Sequence, residues 1–404
     1  MAKIAFVSMH VCPLGKLGED KVGGMNVYIM NLAAALASLG NNVDIFTRKH
    51  DLNDPIVIKI SKKIRIIHLD AGPFLEDKSD LYKFIDDFTT NILEFNSVEK
   101  TKYTIIHSHY WLSGPVGLIL SNTWKIPNVI TFHTLAAVKL KASSTIVEHD
   151  KRYDVEKESM VKVDSIIVST KSELSDINSL YNVPGKKIKI VPPGVDLDLF
   201  KPMNKLESKK TLGLIKSNII LYVGRIDPIK SLYTLLESVF NLDESYNAKL
   251  VIIGGNINKS VELMSLQKYA YDKNKADKVD FLGIVEQSRL PIYYNAADLF
   301  LLTSYYESFG LSVLESLACG TPAIVSDVGG LSDLIDNDVN GYLVPDMTSR
   351  GFTNQIELFF NNTHMQEEII AKCRNKAEEY NWSKSSVRMI EIYQSLIELE
   401  EIHE

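Results

Sequence analysis

The sequence has few cysteines and no long apolar segment. Cys12, Cys319 and Cys373 are odd in number and far apart, so neither a disulfide framework nor a zinc cluster is indicated. No stretch approaches the roughly 18 apolar residues that span a bilayer. The N-terminal apolar run also lacks the small-residue cleavage pattern of a secretory signal. We therefore expect a soluble protein of the reducing cytoplasm.

An excess of basic residues is also missing. The 44 lysines and arginines are outnumbered by 51 aspartates and glutamates, which gives a net charge of -7 at pH 7. This balance supplies no general attraction to nucleic acid or to an acidic membrane surface. We expect small-molecule ligands, no nucleic acid and no stable membrane insertion. Whether the chain acts alone or as a homodimer is left open.

What the sequence does contain is two series of short apolar runs. The first includes IAFVS, NVDIFT and TIIHSH, and the second, after KIKIVPPGVDLDLFKP, includes IILYVGRI and KLVIIGG. Amphipathic stretches separate the runs, a pattern typical of parallel βαβ units. The sequence therefore predicts an α/β fold with two doubly wound, Rossmann-like domains, residues 1–200 and 201–381, facing across a cleft. Helical spacing predicts a closing helix over 382–404.

A Gly-Gly pair, Gly23 and Gly24, separates the first apolar run from a helical segment that ends at Gly40. Glycine lets the backbone turn sharply and approach a ligand, and the amides that open the following helix can bind an anion. A strand, a glycine turn and a helix also occur for purely structural reasons. The pair alone leaves both interpretations open.

The segment YYESFGLSVLESLACGTPAIVSDVGG in the second half is more specific. Its sequence predicts a loop that turns into a helix at Phe309, Gly310 and Leu311, whose amides would face a phosphate. Glu315, one turn further, could accept hydrogen bonds from ribose hydroxyls, and Glu307 could reach a neighbouring sugar. The alternative is that both glutamates face solvent, although the residues around Glu315 are apolar.

The segment YVGRIDPIKS supplies cations for an anionic ligand. Arg225 follows the end of a predicted strand, and Lys230 opens the next helix five residues later. Two such groups beside one crevice suit a diphosphate. An isolated pair of this kind is more often on the solvated surface, so the neighbouring ESFG segment gives the interpretation its weight.

Together these motifs resemble the retaining GT-B glycosyltransferases of the glycosyl transferase group 1 family, family 4 of the carbohydrate-enzyme classification. The resemblance implies that the closing helix crosses back to the first domain, and that the first domain binds the acceptor and the second the nucleotide-sugar. It implies catalytic roles for His133, Arg225, Lys230 and Glu307. It implies a donor-binding set of Gly24, Arg225, Lys230, Ile284, Val285, Glu307, Phe309, Gly310, Leu311 and Glu315.

The first half has a closer resemblance. GGMNVY, HSHYWLSG and TFHTLAAVK are similar to inositol-phosphate N-acetylglucosaminyltransferases that begin mycothiol synthesis, and more loosely to sucrose-phosphate synthases. The resemblance implies an acceptor-binding set of His10, Asn26, Lys78, Tyr110, Thr134 and Arg152. Lys78 and Arg152 lie in polar stretches and could instead be surface charges. Lys21 and Val22 depart from the Asp-Ala that tends to precede the glycine pair in those enzymes.

The resemblance also implies a mechanism. The transferred sugar would keep its α configuration, and a donor phosphate oxygen would take the acceptor proton, without a metal or other cofactor. The string Asp196-Leu197-Asp198 matches the D-x-D motif of metal-dependent glycosyltransferases, but it lies in the interdomain stretch without other metal ligands nearby. Ile284 and Val285 would line the base, for which the resemblance favours uracil.

The expected activity is transfer of a sugar from UDP-N-acetylglucosamine or UDP-glucose to a phosphorylated polyol or sugar such as inositol 3-phosphate. One alternative is sucrose-phosphate synthase-like transfer of glucose to fructose 6-phosphate. A dehydrogenase would need the missing G-x-G-x-x-G fingerprint, an epimerase would not need ESFGL, and a phosphorylase would need a pyridoxal lysine. A non-catalytic nucleotide-sugar-binding protein is the alternative of a different class.

Overall fold

The computed structural model describes residues 1–15, 23–74, 80–142, 147–257 and 259–403. These residues form two compact units. The first contains residues 1–15 and 25–193 together with the C-terminal segment from Trp382. The second contains Gly23, Gly24 and Gly194–Asn381.

The first unit is built on an eight-stranded sheet of order β3-β4-β2-β1-β5-β6-β7-β8. All its neighbouring strands are parallel except β3, which runs antiparallel to β4. The central strands are buried on both faces, which explains why they appear in the sequence as continuous apolar runs. The strands are β1 (Lys3–Ser8), β2 (Asn42–Arg48), β3 (Val57–Lys59), β4 (Ile64–Leu69), β5 (Ile105–His109), β6 (Asn128–Thr131), β7 (Ser165–Val168) and β8 (Ile188–Ile190).

Helices connect these strands, as parallel pairing requires. They are α1 (Gly24–Ser38), α2 (Ile85–Glu99), α3 (Ser113–Trp124), α4 (Ala136–Ala142), α5 (Arg152–Lys162) and α6 (Lys171–Tyr181). Thr170 caps α6, because its side chain accepts a hydrogen bond from the Glu173 amide. The Glu173 carboxylate in turn accepts from the amide of Ser169, the residue before the cap, which fixes the entry of the chain into α6.

The second unit contains a six-stranded, wholly parallel sheet of order β11-β10-β9-β12-β13-β14. Its strands are β9 (Asn218–Val223), β10 (Ala248–Ile253), β11 (Val279–Gly283), β12 (Leu299–Leu302), β13 (Ala323–Ser326) and β14 (Gly341–Val344). Its helices are α7 (Lys205–Thr211), α8 (Leu232–Phe240), α9 (Val261–Asp272), α10 (Leu290–Ala296), α11 (Leu311–Ala318), α12 (Leu331–Leu334), α13 (Ser349–Asn361) and α14 (Thr363–Glu378).

Each sheet has one point where the strand order reverses. In the first unit this point lies between β1 and β5, and in the second it lies between β9 and β12. In open α/β sheets, ligands bind outside the carboxyl ends of the two strands that flank such a point. Segments that follow β1, β5, β9 and β12 are therefore the first places to look for a site.

The C-terminal helix α15 (Trp382–His403) belongs to the first unit. Trp382, Met389 and Tyr393 are buried in the same apolar cluster as Ile4 and Leu32. This finding confirms the prediction that the closing helix returns to the first domain. Among the described residues, no helix combines the length and the apolar character that a membrane crossing requires.

Candidate active site

An ion pair between Lys230 and Glu307 lies beyond β9 and β12. Lys230 ends a short 3-10 turn that Asp227 caps, with the Asp227 Oδ1 accepting a 3.1 Å hydrogen bond from the Ile229 amide. The Lys230 carbonyl oxygen accepts a 3.1 Å hydrogen bond from Thr303 Oγ1, which ties the turn to the end of β12. Both side chains of the pair are 14% exposed. A cation and a carboxylate are therefore fixed beside the switch point and are still reachable by a ligand.

Arg225 is the second cation of this region and is less enclosed. Its Nη1 lies 3.2 Å from Asp227 Oδ2, and its side chain is 38% exposed. Its carbonyl oxygen accepts a 2.7 Å hydrogen bond from Tyr222 Oη, which fixes the backbone while the guanidinium faces solvent. Within the second unit, a Cβ built on Gly23 would lie 3.2 Å from Arg225 Cδ, and one on Gly24 would lie 3.4 Å from Leu311 Cδ1. The glycine pair therefore lies beside two of the predicted donor residues.

Two glycines shape the loop that carries Glu307. Gly310 precedes α11 with φ +97, and a Cβ there would lie 2.6 Å from Leu331 Cδ2. Gly329 has φ +53, and its Cβ would lie 1.8 Å from the Glu307 carbonyl oxygen. Neither position accepts a larger residue without a shift. The same carbonyl accepts a 3.1 Å hydrogen bond from the Gly330 amide, so the loop is held through its backbone.

Glu315 does not face solvent. It is 8% exposed, on α11, and its Oε2 accepts a 2.8 Å hydrogen bond from Tyr294 Oη. Burial raises the pKa of Glu315 to about 7, and the hydrogen bonds from Tyr294 and Gln287 offset part of that rise. The interpretation of this glutamate as a solvated surface charge is therefore wrong.

The other predicted donor residues surround this loop or follow a neighbouring strand. Phe309 is buried, with its ring 5.6 Å from the Tyr380 ring in an edge arrangement, and Leu311 is partly buried at the start of α11. Ile284 and Val285 are partly buried directly after β11. Their role beside a nucleotide base stays a prediction.

In the first unit, His10 and Tyr110 follow the two strands that flank the switch point. Their rings are 4.1 Å apart, and Tyr110 has a left-handed backbone with φ 75. The Arg152 guanidinium lies over the Tyr110 ring, 5.0 Å from its centroid. Arg152 Nη2 also donates to the Thr134 carbonyl oxygen at 2.8 Å and to Thr134 Oγ1 at 3.0 Å. Four of the predicted acceptor residues are thus in one connected cluster.

Arg152 is a buried charge, since it is 1% exposed. Its Nε donates to Glu156 at 2.7 Å, and its Nη1 donates to Glu148 at 2.6 Å. Burial would lower the pKa of Arg152, but Tyr110 and these two carboxylates raise it above its ordinary value. The interpretation of Arg152 as a surface charge is therefore wrong. Its role in binding a phosphate stays a prediction.

The two remaining predicted acceptor residues are Asn26 and Lys78. The Asn26 side-chain amide is buried and donates a 2.7 Å hydrogen bond to the Cys12 carbonyl oxygen. Lys78 lies outside the described residues, as do Lys21 and Val22. The structure therefore assigns no position to the predicted lysine.

His133 ends a row of stacked histidines. The centroids of His107 and His109 are 4.2 Å apart, and His109 Nδ1 lies 3.1 Å from His133 Nε2. Burial lowers the pKa of His133 to about 3 and lowers the pKa of the other two well below its ordinary value. All three rings are therefore neutral at pH 7.

The hydrogen bonds also select the tautomer of His133. His109 Nε2 is buried and has no hydrogen-bond partner among the residues that the structure describes. A buried N–H without a partner is rarer than a buried acceptor without one, so the His109 proton belongs on Nδ1. His109 then donates to His133 Nε2, and the His133 proton is on Nδ1. His133 then has an uncharged N–H at Nδ1, and the residue is partly exposed.

The D-x-D string has a structural role. Asp196 Oδ1 accepts 3.0 Å hydrogen bonds from the amides of Asp198 and Leu199, which closes a turn. In the described part of the chain, no group of three His, Cys, Asp or Glu residues has an arrangement that could hold a metal ion.

Several residues of these clusters escaped the sequence analysis. Tyr294 and Glu148 bond to predicted residues from 21 and 4 positions away, and no short motif marks them. His109 bonds to His133 from 24 positions away; it lies in the HSHYWLSG segment but was given no role. Glu156 could have been found, because it lies one helical turn after Arg152 on α5. Asp227 also carried a signal, since it stands between the two predicted donor cations.

The chemistry of these clusters is that of anion binding and hydroxyl recognition. Arg225 and Lys230 are accessible cations, Glu307 is an accessible carboxylate, and His133 is a neutral donor. Such groups can neutralise a leaving diphosphate and orient a sugar.

Comparisons with known proteins agree with this chemistry. The family model described as "Glycosyl transferases group 1" matches residues 204–376, and the model described as "Glycosyltransferase Family 4" matches residues 22–199. The D-inositol 3-phosphate glycosyltransferase of Xylanimonas cellulosilytica is 33% identical over 402 residues, which cover 97% of this chain and 96% of that protein.

Solved structures show the same fold. The sucrose-phosphate synthase from Thermosynechococcus elongatus superimposes with a TM-score of 0.92 at 32% identity, covering 99% of this chain and 100% of that one. Anabaena HepE in complex with UDP-glucose superimposes with a TM-score of 0.78 at 16% identity, covering 98% of this chain and 100% of that one. Two parallel-sheet units, the matched models and relatives of this length together show that the chain is a GT-B glycosyltransferase and belongs to the glycosyl transferases group 1 family.

Proposed function

We propose that this glycosyltransferase moves a hexosyl group from a UDP-sugar, UDP-N-acetylglucosamine or UDP-glucose, to a hydroxyl group of a phosphorylated polyol such as inositol 3-phosphate. The observation that supports the proposal most is the ion pair of Lys230 and Glu307, because it places a cation and a carboxylate, groups suited to a diphosphate and a sugar, beside the second switch point. The similarity to D-inositol 3-phosphate glycosyltransferases supports the acceptor.

On the donor side, Lys230 and Arg225 would bind the diphosphate next to Gly24. Without ligand, each cation is paired with a nearby carboxylate, which fixes its position before the ligand arrives. The diphosphate would replace water around the two cations and part of their bonding to these carboxylates. The two positive charges then stabilise the leaving diphosphate as the glycosidic bond breaks. Uracil is our choice of base, to be contacted by Ile284 and Val285.

Glu307 and the amides of Phe309, Gly310 and Leu311 would hold the transferred sugar, and Glu315 would accept hydrogen bonds from the ribose. Because the pKa of Glu315 is about 7, ribose hydroxyls can meet either its neutral or its charged form at physiological pH. The His133 N–H would bind the hydroxyl at C6 of the sugar.

The proposed step retains the anomeric configuration. The acceptor oxygen forms a bond to the anomeric carbon on the face that the diphosphate oxygen leaves, and the acceptor proton passes to a donor phosphate oxygen. No protein carboxylate is then needed as a nucleophile, and no metal ion takes part. This assignment follows the family resemblance.

On the acceptor side, Arg152, Tyr110, Thr134 and Lys78 would bind the phosphate, and Asn26 and His10 would contact the polyol. Arginine, lysine and two hydroxyl groups offer several donors and two positive charges to a dianion. The stacking of Arg152 on Tyr110 and its bonds to Thr134 support a shared site for these three.

The second candidate is transfer of glucose to fructose 6-phosphate. The full-length similarity to a sucrose-phosphate synthase at a TM-score of 0.92 favours it. Both candidates share the nucleotide-sugar donor and the phosphorylated acceptor, so they differ in the carbon skeleton of the acceptor. We also infer a reducing, cytoplasmic setting, since all three cysteines are free thiols.

One experiment separates these cases. UDP- and GDP-sugars are crossed with inositol 3-phosphate, fructose 6-phosphate and glycerol phosphate, and nucleotide release and product anomer are measured, the latter by NMR. We expect release to require UDP-N-acetylglucosamine or UDP-glucose and inositol 3-phosphate, with an α-linked product. Unphosphorylated inositol and fructose are the matched controls.

Three results would contradict parts of the proposal. A preference for fructose 6-phosphate would select the second candidate. Equal rates with unphosphorylated acceptors would remove the phosphate from the acceptor assignment. Nucleotide-sugar binding without release in any combination would favour a non-catalytic binding protein.

A further inference from the structure

The cluster around Arg152 contains two cations and two carboxylates. Besides the Arg152 bonds to Glu148 and Glu156, the Lys139 ammonium pairs with the Glu148 carboxylate. Glu148 therefore bridges Lys139 and Arg152, and its side chain is 11% exposed. The cluster has no net charge, which is an unusual arrangement for a region expected to receive a phosphate dianion.

The two carboxylates are held in different ways. Glu156 is fully buried and accepts hydrogen bonds from Arg152 Nε, the Ala136 amide at 3.0 Å and the Tyr181 hydroxyl. Within the described residues, the partners of Glu148 are the two cations, Lys139 and Arg152. Loss of Glu156 would leave backbone and side-chain donors unpaired, whereas another anion could replace Glu148 on both of its partners.

The protonation of the two carboxylates follows the same division. Burial raises the pKa of Glu156 above its ordinary value despite Arg152. Burial also opposes ionisation of Glu148, but Arg152 and Lys139 outweigh it and lower the pKa of that carboxyl. Glu148 is thus ionised, and its ion pairs with Arg152 and Lys139 hold it in place.

The geometry around Glu148 matches the needs of a phosphate. Arg152 uses Nε for Glu156 and Nη2 for Thr134, so Nη1 is the nitrogen given to Glu148. A phosphate oxygen at the Glu148 carboxylate position would meet the same Nη1 and the Lys139 ammonium, in the hydrogen-bonding geometry that carboxylate and phosphate share. Thr134 Oγ1 lies 3.0 Å from the neighbouring Nη2 and adds a hydroxyl beside it.

We propose that Glu148 occupies the position of the acceptor phosphate and is displaced when a phosphorylated acceptor binds. Glu148 thereby determines how strongly the enzyme selects phosphorylated acceptors, and Lys139 is a further residue of the phosphate site. This inference rests on the proposed function, because it requires a phosphorylated acceptor. An internal anion that occupies the site competes with the ligand. The apparent affinity for the ligand is then the intrinsic affinity multiplied by the fraction of molecules in which the internal anion is not in the site.

The test is Glu148→Gln in the full chain, which keeps the shape of the side chain and removes its charge. The Michaelis constant is measured for inositol 3-phosphate and fructose 6-phosphate, and the inhibition constant for inorganic phosphate. We expect both constants to fall by at least about twofold, because each apparent constant scales inversely with the fraction of molecules in which Glu148 does not occupy the site. kcat should stay unchanged, since Glu148 leaves the site before the reaction.

A matched control comes from the same helix. Glu158 pairs with Lys162 at the i,i+4 spacing on the exposed face of α5, so Glu158→Gln should change neither constant. Glu148→Asp keeps the charge but shortens the side chain, and it should lower the constants less than Glu148→Gln. It serves as the second variant if Glu148→Gln fails to fold in a thermal unfolding assay.

The outcomes are distinct. A rise in the Michaelis constant would mean that Glu148 positions Arg152, and an unchanged constant would mean that the carboxylate does not compete; either result overturns the inference while the proposed function stands. If the wild type neither uses a phosphorylated acceptor nor is inhibited by phosphate, the acceptor part of the proposed function fails and the inference falls with it. Lower constants for both probes in Glu148→Gln, with Glu158→Gln unchanged, support it.

Discussion

Each unit contains its own cluster of candidate site residues, and the charged groups of the two clusters have contrasting surroundings. In the second unit, the side chains of Lys230 and Glu307 are each 14% exposed, and that of Arg225 is 38% exposed. In the first unit, Arg152 is 1% exposed and Glu156 is fully buried. An ion pair that water reaches can exchange one partner for a ligand at small cost. A buried ion pair contributes to the stability of the fold instead, because removing either partner leaves an unpaired buried charge.

Arg152 belongs to both classes at once. Its bond to Glu156 ties α5 to the start of α4 through the Ala136 amide, whereas its bond to Glu148 involves the less enclosed carboxylate. In the proposed function, Arg152 of the first unit would therefore serve stability through one edge of its guanidinium and ligand binding through the other. Variants in which stability and turnover are measured separately test this difference between the two units.

The largest effect is expected for Arg152→Met in the first unit. Glu148 and Glu156 would lose their common cation, and breaking a buried pair in this way costs about 3–5 kcal/mol of unfolding free energy. Chemical denaturation of the variant measures the loss. Lys162→Met on the same helix removes only an exposed pair with Glu158 and should cost less than about 1 kcal/mol. Equal stability of the two variants would contradict the structural part of the comparison.

In the second unit we expect Lys230→Ala to affect turnover more than stability. Its cation would neutralise the leaving diphosphate, so turnover should fall by about 10²- to 10³-fold, the scale for removing one transition-state donor. Stability should fall less than in Arg152→Met, since both side chains of the Lys230–Glu307 pair are partly exposed. Steady-state kinetics and thermal unfolding test the two parts. Lys268→Ala, which removes an exposed pair with Asp272, is the control; turnover of Lys230→Ala near the wild-type value would contradict the diphosphate assignment.

A smaller, graded effect is expected from pH. Burial holds the pKa values of His107, His109 and His133 below that of a free histidine, so only the unfolded first unit binds protons at these sites as the pH falls below 6.5. Each of these histidines therefore lowers stability as the pH falls, and for His133 the loss should be about 1.4 kcal/mol per pH unit between about 6.5 and about 3. Burial raises the pKa of Glu173 in the same unit to about 7. The folded state therefore takes up a proton there as the pH falls, which offsets the destabilising effect of one histidine.

In the second unit, Glu315 makes stability change with pH in the opposite direction. Its pKa of about 7 exceeds that of a free carboxyl, so its contribution to stability is full at low pH and is lost as the pH rises from about 4.5 through 7. Hydrogen exchange at pH 7 and 5.5, read by mass spectrometry for each unit, should show the first unit losing protection relative to the second. Parallel changes in the two units would show that the buried histidines do not dominate.

Much of the fold was readable from the sequence. Runs such as LFLL of β12 and SIIV of β7 are wholly buried, and continuous apolar runs between amphipathic stretches predict parallel strands with helices on both faces. The turn into a helix at Phe309, Gly310 and Leu311 was also predicted, and α11 does begin at Leu311, directly after Gly310 with its positive φ. These signals are local: each depends on residues within a few positions of one another.

The partners of the site residues were not readable. Tyr294 reaches Glu315 from α10, and His109 reaches His133 from the neighbouring strand β5. Each pair meets only when parallel strands bring distant segments to the same edge of a sheet. Burial was equally hidden, since Arg152 lies in a stretch of charged residues that the sequence alone cannot distinguish from a solvated surface.

The sequence by itself determined the two doubly wound sheets, the glycine-shaped loop before α11 and the presence of cations and carboxylates in fixed motifs, because periodicity and backbone sterics act over short distances. Only the tertiary structure decided the state of those groups: that Glu315 is buried against Tyr294, that His133 is a neutral donor, and that Glu148 bridges Lys139 and Arg152. The physical reason is that charge, protonation and exposure depend on every neighbour in space, and those neighbours come from distant parts of the chain.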